Sequence, residues 1–204
     1  MASVAVLGTG LLGTAIAKRL LDEGLDVHVW NRDPTRLAPL QEQGAIAIQD
    51  LDGAAHNREA VITVLRDGAV TASVVNALGP LPGPTVRPMG PTGVEARRQL
   101  GQQVLQQNGR YLEAPVLGSK PQALSGTLLV MAGGEATDFA RQRSVLTHLS
   151  EQPIHVGAVG TGAATKLALN QMIASLTHSF SLSLRLIQQA GVPVDTFMEI
   201  LRPS

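Results

Sequence analysis

The sequence of 204 residues contains no cysteine. This absence excludes disulfides, thiolate metal sites and a cysteine nucleophile. The chain also lacks an excess of either charge, because 16 basic residues balance 16 acidic ones. The basic stripe that a nucleic-acid-binding protein needs is therefore missing. Four of the five histidines stand alone, without a second histidine or a carboxylate at ligand spacing, so no metal site is predicted.

Long hydrophobic runs are also missing. The longest apolar runs have the length of a strand or are interrupted by polar residues, so we expect no transmembrane segment and no membrane partner. A first strand begins almost at Met1, which leaves no room for a signal peptide. These features predict a soluble cytoplasmic protein.

Short β-branched runs alternate with helical stretches, a pattern typical of βαβ units and a parallel sheet. We expect a Rossmann-type, doubly wound α/β domain at residues 1–158, followed at 159–204 by a long interdomain helix and the start of an all-helical domain. Strands are expected at 3–7, 26–30, 45–48, 60–65, 85–87, 110–113, 126–132 and 153–156. Helices are expected at 11–23, 34–43, 67–78, 94–108, 135–149, 161–190 and 194–202.

The segment GTGLLG at 8–13 has the form G-x-G-x-x-G between the first strand and the first helix. Its first glycine permits a tight turn, its second lets the backbone approach a pyrophosphate, and its third lets helix and strand pack closely. The helix that follows offers unpaired N–H groups and the positive end of its dipole. We therefore predict dinucleotide binding. The expected cofactor-binding residues here are Gly8, Thr9, Gly10, Leu11, Leu12 and Gly13.

The end of the second strand bears on the choice of cofactor. NAD-binding folds usually place Asp or Glu there to accept hydrogen bonds from the ribose hydroxyls. This chain has Asn31 followed by Arg32, and a guanidinium suits a 2′-phosphate because it donates two parallel hydrogen bonds. The pattern favours NADPH. NADH stays possible if Asp33 replaces the missing acid. The alternative interpretation of Arg32 is that it is a solvated turn residue without a role in binding.

The segment GAVGTGAATKLALN at 157–170 contains a candidate catalytic residue. Its glycines bend the chain into the start of a long helix, and Lys166 and Asn170 lie four positions apart on one face of that helix. An ammonium group in apolar surroundings has a lowered pKa, which suits a proton donor. The alternative is a lysine that extends along the helix start to reach solvent.

Four motifs together resemble the β-hydroxyacid dehydrogenases, the family of 3-hydroxyisobutyrate dehydrogenase and glyoxylate/succinic semialdehyde reductase. They are GTGLLG, VWNRDP, YLEAPVLGSKPQALSGTLLVMAGG and GTGAATKLALN. The VWNRDP form and the EAPVLGSKPQA loop are similar to the glyoxylate/succinic semialdehyde reductases, whose members generally use NADPH. The resemblance implies an enzyme that interconverts a small aldehyde or keto acid and its hydroxy acid.

The resemblance also implies roles for residues of the substrate site. Lys166 would protonate the substrate oxygen while the nicotinamide delivers hydride, and Asn170 would bind the same substrate or hold the amine. In the family a loop matching Glu113 to Ser119 binds the substrate carboxylate. Leu117 replaces a serine of that loop, so Gly118 and Ser119 would act through their N–H groups and the Ser119 hydroxyl.

Two further loops match the family near its cofactor. Leu65 and Arg66 correspond to the loop over the cofactor ribose and would act mainly through their backbone. Pro91 stands where the family usually has Ser or Thr close to the nicotinamide, and Thr92 would take over through a local shift.

The resembled family has a longer helical domain, which closes the substrate cleft and builds the dimer. Because this chain stops at Ser204, we expect a truncated second domain, and a homo-oligomer that covers the long apolar helix. A rival hypothesis is a non-catalytic NADP(H)-binding remnant, favoured by Leu117, Pro91 and the missing helices. A third is an imine reductase, a group that generally does not keep a lysine at the position of Lys166.

Overall fold

A computed structural model describes residues 2–81 and 83–202. The strands are β1 (Ser3–Leu7), β2 (Asp26–Trp30), β3 (Ile46–Ala47), β4 (Ala60–Thr63), β5 (Thr85–Pro88), β6 (Arg110–Glu113), β7 (Val116–Leu117), β8 (Leu129–Gly134) and β9 (Ile154–Gly157). The helices are α1 (Leu11–Asp22), α2 (Ala38–Gln41), α3 (Gly68–Asn76), α4 (Val94–Gln106), α5 (Lys120–Ser125), α6 (Ala136–Thr147), α7 (Thr161–Gln189) and α8 (Val194–Leu201). A 3₁₀ turn, Pro34–Leu37, precedes α2.

The strands of the described residues form one sheet in the order β3-β2-β1-β4-β5-β6-β8-β7, with β9 beside β8. Strands β1 to β6 pair in parallel, whereas β8 is antiparallel to both β6 and β7. The order of the first six strands is that of a doubly wound Rossmann sheet. Because the strand order reverses between β1 and β4, a ligand crevice is expected at the carboxyl ends of these two strands. The expected fold class is confirmed.

Helices cover both faces of the sheet, which explains why its central strands are apolar at successive positions. In β1, Val4 and Val6 belong to the core cluster that includes α1 and α6, while Ala5 and Leu7 belong to the cluster that includes α3 and α4. All four side chains are buried. Burial of each valine or leucine contributes roughly 1.5–3 kcal/mol, so the two clusters hold β1 at the centre of the domain.

The structure corrects the prediction for residues 126–132, which is wrong at its start. Strand β8 begins at Leu129, whose side chain is exposed. Gly126 adopts the left-handed conformation with φ 73° and caps the carboxyl end of helix α5. The sequence interpretation missed both α5 and the short strand β7. It also overestimated the helix at 34–43, which is a 3₁₀ turn followed by the four-residue α2.

The chain divides into two compact units, Met1–Lys166 and Leu167–Ser204. The first contains the sheet and the first turn of α7, and the second contains the remainder of α7 together with α8. Among the residues described, no helix combines the length and the apolar character that a membrane span requires.

We predict that Gly13→Ala destabilises the first unit although alanine is the better helix former. A Cβ at Gly13 would overlap the carbonyl oxygen of Gly8. Overpacking of this kind costs roughly 1–3 kcal/mol, measurable as a lower free energy of unfolding in urea. Gly10→Ala is the matched control, because a Cβ there meets no described atom within 4 Å. An equal loss in both variants would contradict the packing role of Gly13.

Candidate active site

Parallel strands bring the separate sequence motifs to one edge of the sheet. Strands β1, β2, β4, β5 and β6 run in the same direction, so the residues that end or follow them lie at a common edge. These residues are Gly8 after β1, Asn31 after β2, Leu65 after β4, Gly90 after β5, and Glu113 at the end of β6. The edge therefore contains residues from five of the predicted site segments.

The glycines of the turn after β1 have two different roles: two of them allow close packing, and one leaves open space. The N–H of Gly8 donates to the Trp30 carbonyl at 2.8 Å, and φ is 101° at Gly8. A Cβ at Gly8 would overlap the Val64 carbonyl oxygen, and one at Gly13 would overlap Gly8 itself. A Cβ at Gly10 would instead enter space that is free of described atoms. Gly8 and Gly13 thus close the turn, and Gly10 leaves room for a group outside it.

The amino end of α1 suits an anion. Gly10 is the N-cap residue, no described side chain caps this end, and the first turn contains no acidic residue. The N–H groups at a helix start and the positive end of the dipole attract phosphate. The space beside Gly10 and the uncapped helix therefore fit the pyrophosphate of a dinucleotide.

A cleft of about 650 Å³ lies beside this turn, bordered by the ends of β1, β2 and β4 and by one side of α3. Its volume falls in the range of cofactor sites. Arg32, Arg36 and Arg66 contribute to its lining. Three guanidinium groups around one cleft favour an anionic ligand.

Not every predicted cofactor residue lies in the lining of this cleft. Thr9 is buried behind it, Leu11 and Leu12 begin α1, and Thr92 lies in the loop after β5. The predicted residues that line the cleft are Gly8, Gly10, Asn31, Arg32, Leu65 and Arg66. Those outside its lining are Thr9, Leu11, Leu12, Gly13 and Thr92.

Hydrogen bonds fix the polar residues after β2. The Asn31 amide donates to the Thr9 hydroxyl at 2.8 Å and accepts from the Asp33 N–H at 3.0 Å. The Asp33 carboxylate accepts from the hydroxyl and the N–H of Thr35, at 2.6 and 3.1 Å. These bonds, the hydroxyl first, lower the pKa of Asp33. Asp33 therefore caps its own 3₁₀ turn, and Arg32 remains exposed at the cleft.

The loops that follow β4 and β5 pack against each other. A Cβ at Gly90 would overlap the carbonyl oxygen of Leu65, and one at Gly68 would lie 3.0 Å from the Thr92 methyl carbon. The two loops are therefore in close contact through small residues. This contact brings Thr92 to the segment that contains Leu65 and Arg66, as expected for neighbouring parts of one cofactor site.

Beneath these loops lies a buried ion pair. Arg97 of α4 is 0% exposed; one of its terminal nitrogens donates to the Pro88 carbonyl at 2.8 Å and the other donates to the Gly90 carbonyl. Its Nε lies 3.8 Å from Oε2 of Glu113, whose side chain is also 0% exposed. Charges are almost never fully buried unless they are paired.

The Glu113 carboxylate also caps the amino end of α7. Its Oε1 accepts hydrogen bonds from the N–H groups of Gly160 and Gly162, both at 2.8 Å, and of Ala163 at 3.4 Å. Burial raises the pKa of Glu113, and the charge of Arg97 and these hydrogen bonds oppose that rise. A carboxylate at the positive end of a helix dipole is favourable, so Glu113 fastens α7 to the end of β6.

Lys166 lies three positions after Ala163, in the stretch of α7 that this carboxylate holds. Its side chain is half-buried. Burial lowers the pKa of Lys166, and the positive charge of Arg97 lowers it further. A lowered pKa makes the ammonium a better proton donor. Asn170 lies four residues further along α7, exposed and in the second unit.

The two Ser119 donors that are predicted to bind a substrate carboxylate are already paired. The N–H and the hydroxyl of Ser119 both donate to Oε1 of Gln122, at 3.0 and 2.9 Å. Gly118, with φ 127°, precedes them, and Leu117 ends β7. Carboxylate binding through Ser119 would therefore require the Gln122 side chain to move. The roles of Gly118 and Ser119 stay predictions.

Sequence reasoning missed Arg97, and it gave Glu113 no part beyond the substrate loop. A signal was available for Arg97, because it shares a helical stripe with Leu100, Gly101 and Val104, all of which are buried. A charged residue on an apolar stripe indicates a buried partner. Among the described residues, no group of three or more His, Asp or Glu side chains is arranged to hold a metal ion.

The doubly wound sheet, the glycine turn and the cleft define a dinucleotide-binding domain. Residues 3–160 match a family model described as the NAD binding domain of 6-phosphogluconate dehydrogenase. The chain belongs to the β-hydroxyacid dehydrogenase family, whose relatives are NAD(P)-dependent dehydrogenases and reductases.

One curated relative and two solved structures show what the chain is similar to. Glyoxylate/succinic semialdehyde reductase 1 of Arabidopsis thaliana is 30% identical over 203 residues, which are 97% of this chain and 70% of the relative. A 3-hydroxyisobutyrate dehydrogenase from Mycobacterium tuberculosis, solved with L-serine, has a similar fold with TM-score 0.92 at 24% identity, over 98% of this chain and 70% of that one. An imine reductase from Pseudomonas sp. has TM-score 0.87 at 27% identity, with the same coverage.

Proposed function

We propose that the protein is an NADPH-dependent reductase that interconverts a small aldehyde or keto acid and its hydroxy acid. The observation that carries this proposal is the position of Lys166. Glu113 holds the start of its helix at the sheet edge where the glycine turn and the cleft also lie. A proton donor and a dinucleotide site at one edge are the two components that carbonyl reduction needs.

The cofactor is bound by the first half of the chain in this proposal. The N–H groups at the start of α1 bind the pyrophosphate beside Gly10, and Arg32 binds the 2′-phosphate. We assign no ribose-binding role to Asp33, because its Oδ1 accepts both hydrogen bonds from Thr35 and its Oδ2 lies 3.6 Å from Nε of Arg36. This engagement supports NADPH over NADH. Leu65, Arg66 and Thr92 border the cofactor along the loops after β4 and β5.

A bound nicotinamide supplies the hydride, and Lys166 supplies the proton. In the direction of reduction, its ammonium donates a proton to the carbonyl oxygen as the carbon accepts the hydride. In the reverse direction, the neutral amine takes the proton from the hydroxyl. Asn170 binds the same substrate oxygen or steadies the amine, and Gly118 and Ser119 bind the carboxylate once Gln122 has moved.

The relatives support the substrate class. The Arabidopsis protein is named for glyoxylate and succinic semialdehyde, two small carbonyl acids, and this chain spans 70% of its length. The imine reductase is also similar in fold, but Lys166 favours a carbonyl oxygen as the proton acceptor.

The chain forms a homo-oligomer in this proposal, and a second copy packs against its long apolar helix. We assign cofactor binding to residues 1–158 and the helical part to residues 159–204. Large apolar side chains of the second unit are exposed, including Leu176 at 65% and Leu186 at 68%. Exposed apolar surface of this kind favours association.

Reduction should lose rate as pH rises through the pKa of Lys166, because the neutral amine has no proton to donate. That fall should occur below pH 10.5, the ordinary lysine value, since burial and Arg97 lower the pKa. Lys166→Ala should lose about 10²–10⁴-fold in kcat, followed by NADPH absorbance with glyoxylate and succinic semialdehyde. Lys166→Arg should abolish the falling limb, because arginine stays protonated.

Lys120→Ala is the control for Lys166, because Lys120 is exposed at the start of α5. Full activity of Lys166→Ala would refute the role of Lys166. Tight NADPH binding without turnover of either substrate would favour the non-catalytic NADP(H)-binding alternative.

Arg32→Ala should weaken NADPH binding by roughly 1.5–3 kcal/mol, the contribution of a charged hydrogen bond, and should leave NADH binding almost unchanged. Isothermal titration with both cofactors measures the difference. Asp33→Asn is the companion variant and should change neither affinity, because its side chain still caps the 3₁₀ turn. An equal loss of both cofactors in Arg32→Ala would refute 2′-phosphate recognition.

Leu176→Glu combined with Leu186→Glu should dissociate the oligomer, because two charges would enter an apolar contact. Sedimentation velocity at micromolar concentration measures the change. Leu105→Glu, at a position 63% exposed on α4 of the first unit, is the matched control and should leave the oligomer intact. A wild-type chain that sediments as a monomer would contradict the proposal.

A further inference from the structure

We propose that Arg97 and Glu113 are positioning residues of this site. Their buried ion pair joins the loop after β5 to the amino end of α7 and so fixes where Lys166 stands. The inference rests on the proposed role of Lys166 as proton donor. Neither residue touches the reacting atoms in this proposal, and both act through backbone groups that they hold.

Arg97 reaches both of the segments that must be aligned. Its two terminal nitrogens donate to the carbonyls of Pro88 and Gly90, at the end of β5 and in the loop that follows. Its Nε faces the Glu113 carboxylate at 3.8 Å. The carboxylate in turn accepts from the start of α7. One pair of side chains therefore connects the loop that leads to Thr92 with the helix of Lys166.

The surroundings of Glu113 are shaped around its carboxylate. A Cβ at Gly133 would overlap Oε1 of Glu113, and a Cβ at Gly162 would lie 3.1 Å from the same atom. A Cβ at Gly162 would also lie 2.5 Å from the Met131 carbonyl oxygen. Strand β8 and helix α7 can approach Glu113 this closely because both present glycine there. The carboxylate thus occupies a site that excludes larger neighbours.

Stability alone gives a weak reason for such a pair. Two buried charges lose their hydration, and well-packed apolar residues of similar volume are often equally stable or more stable. An apolar pair could not orient the two segments, because it would accept no hydrogen bonds from α7 and donate none to the loop after β5. The positioning role accounts for both sets of bonds.

The charge of Arg97 has a second effect on Lys166. The positive charge of Arg97 lowers the pKa of that amine in addition to burial. The same guanidinium therefore aligns the helix and keeps the ammonium acidic. Removing its charge should raise the pKa of Lys166.

The test uses the double variant Arg97→Met with Glu113→Gln, which removes both charges at similar volume and leaves neither unpaired. The chain has three lysines, Lys18, Lys120 and Lys166, so ¹³C-methylated lysines give few NMR signals, and Lys166→Ala assigns the signal of interest. We expect Lys166 to titrate at higher pH, because the positive charge of Arg97 no longer lowers its pKa. We expect kcat to fall about tenfold or more, with NADPH affinity retained.

Conservative variants separate positioning from general damage. Arg97→Lys keeps the charge, so the pKa of Lys166 should stay close to its wild-type value while kcat falls. Two separate terminal nitrogens of Arg97 donate to the Pro88 and Gly90 carbonyls, whereas lysine has a single nitrogen and cannot reproduce that fork. Glu113→Asp shortens the carboxylate, so the Gly160 and Gly162 amides should exchange hydrogen faster. Arg141→Met is the control, because Arg141 is an exposed arginine on α6.

A folded double variant in which Lys166 titrates as in the wild type and kcat is unchanged would overturn the proposal. If the double variant does not fold, unchanged kcat and unchanged amide exchange in Glu113→Asp would overturn it equally. A different result, full activity of Lys166→Ala, would contradict the proposed reductase mechanism itself. The NMR titration needs no turnover and still reports whether Arg97 acts on Lys166.

Discussion

The carboxylate of Glu113 at the amino end of α7 is the contact on which the proposed catalytic part of the site depends. The N–H of Gly160, just before α7, and two N–H groups of its first turn donate to one of its oxygens, and Arg97 faces the other at 3.8 Å. Without that carboxylate the helix start would have no described side-chain cap, and a buried guanidinium would have no counter-charge. The position of Lys166 follows from this contact, because a helix fixes the distance between its start and its sixth residue.

The cofactor half of the site depends on different physics. Gly8 and Gly13 allow strand and helix to meet without side chains between them, and Gly10 leaves open space before an uncapped helix. Affinity for phosphate then comes from backbone N–H groups and from arginines at the rim of the cleft. One half of the site is thus built by omitting side chains and the other by burying two charged ones.

The part of the structure that could be predicted from the sequence is the part formed by residues close together in the chain. Strands β1 and β2 have the predicted bounds, because a short β-branched run beside a turn is a local signal. The glycine motif is local too. The contact of Glu113 with Gly160 joins residues 47 positions apart, so no local pattern reveals it. Gln122 and helix α5 were missed because Gly126, taken as the start of a strand, is a helix cap.

Transfer of deuterium tests the reductase proposal without reference to any single residue. NADPH with deuterium at both positions of the nicotinamide C4 would be incubated with the chain and glyoxylate or succinic semialdehyde, and the hydroxy acid product analysed by mass spectrometry. We predict one deuterium on the carbinol carbon of the product in proportion to the NADPH oxidised. Binding of NADPH with no labelled hydroxy acid from either substrate would contradict the proposal.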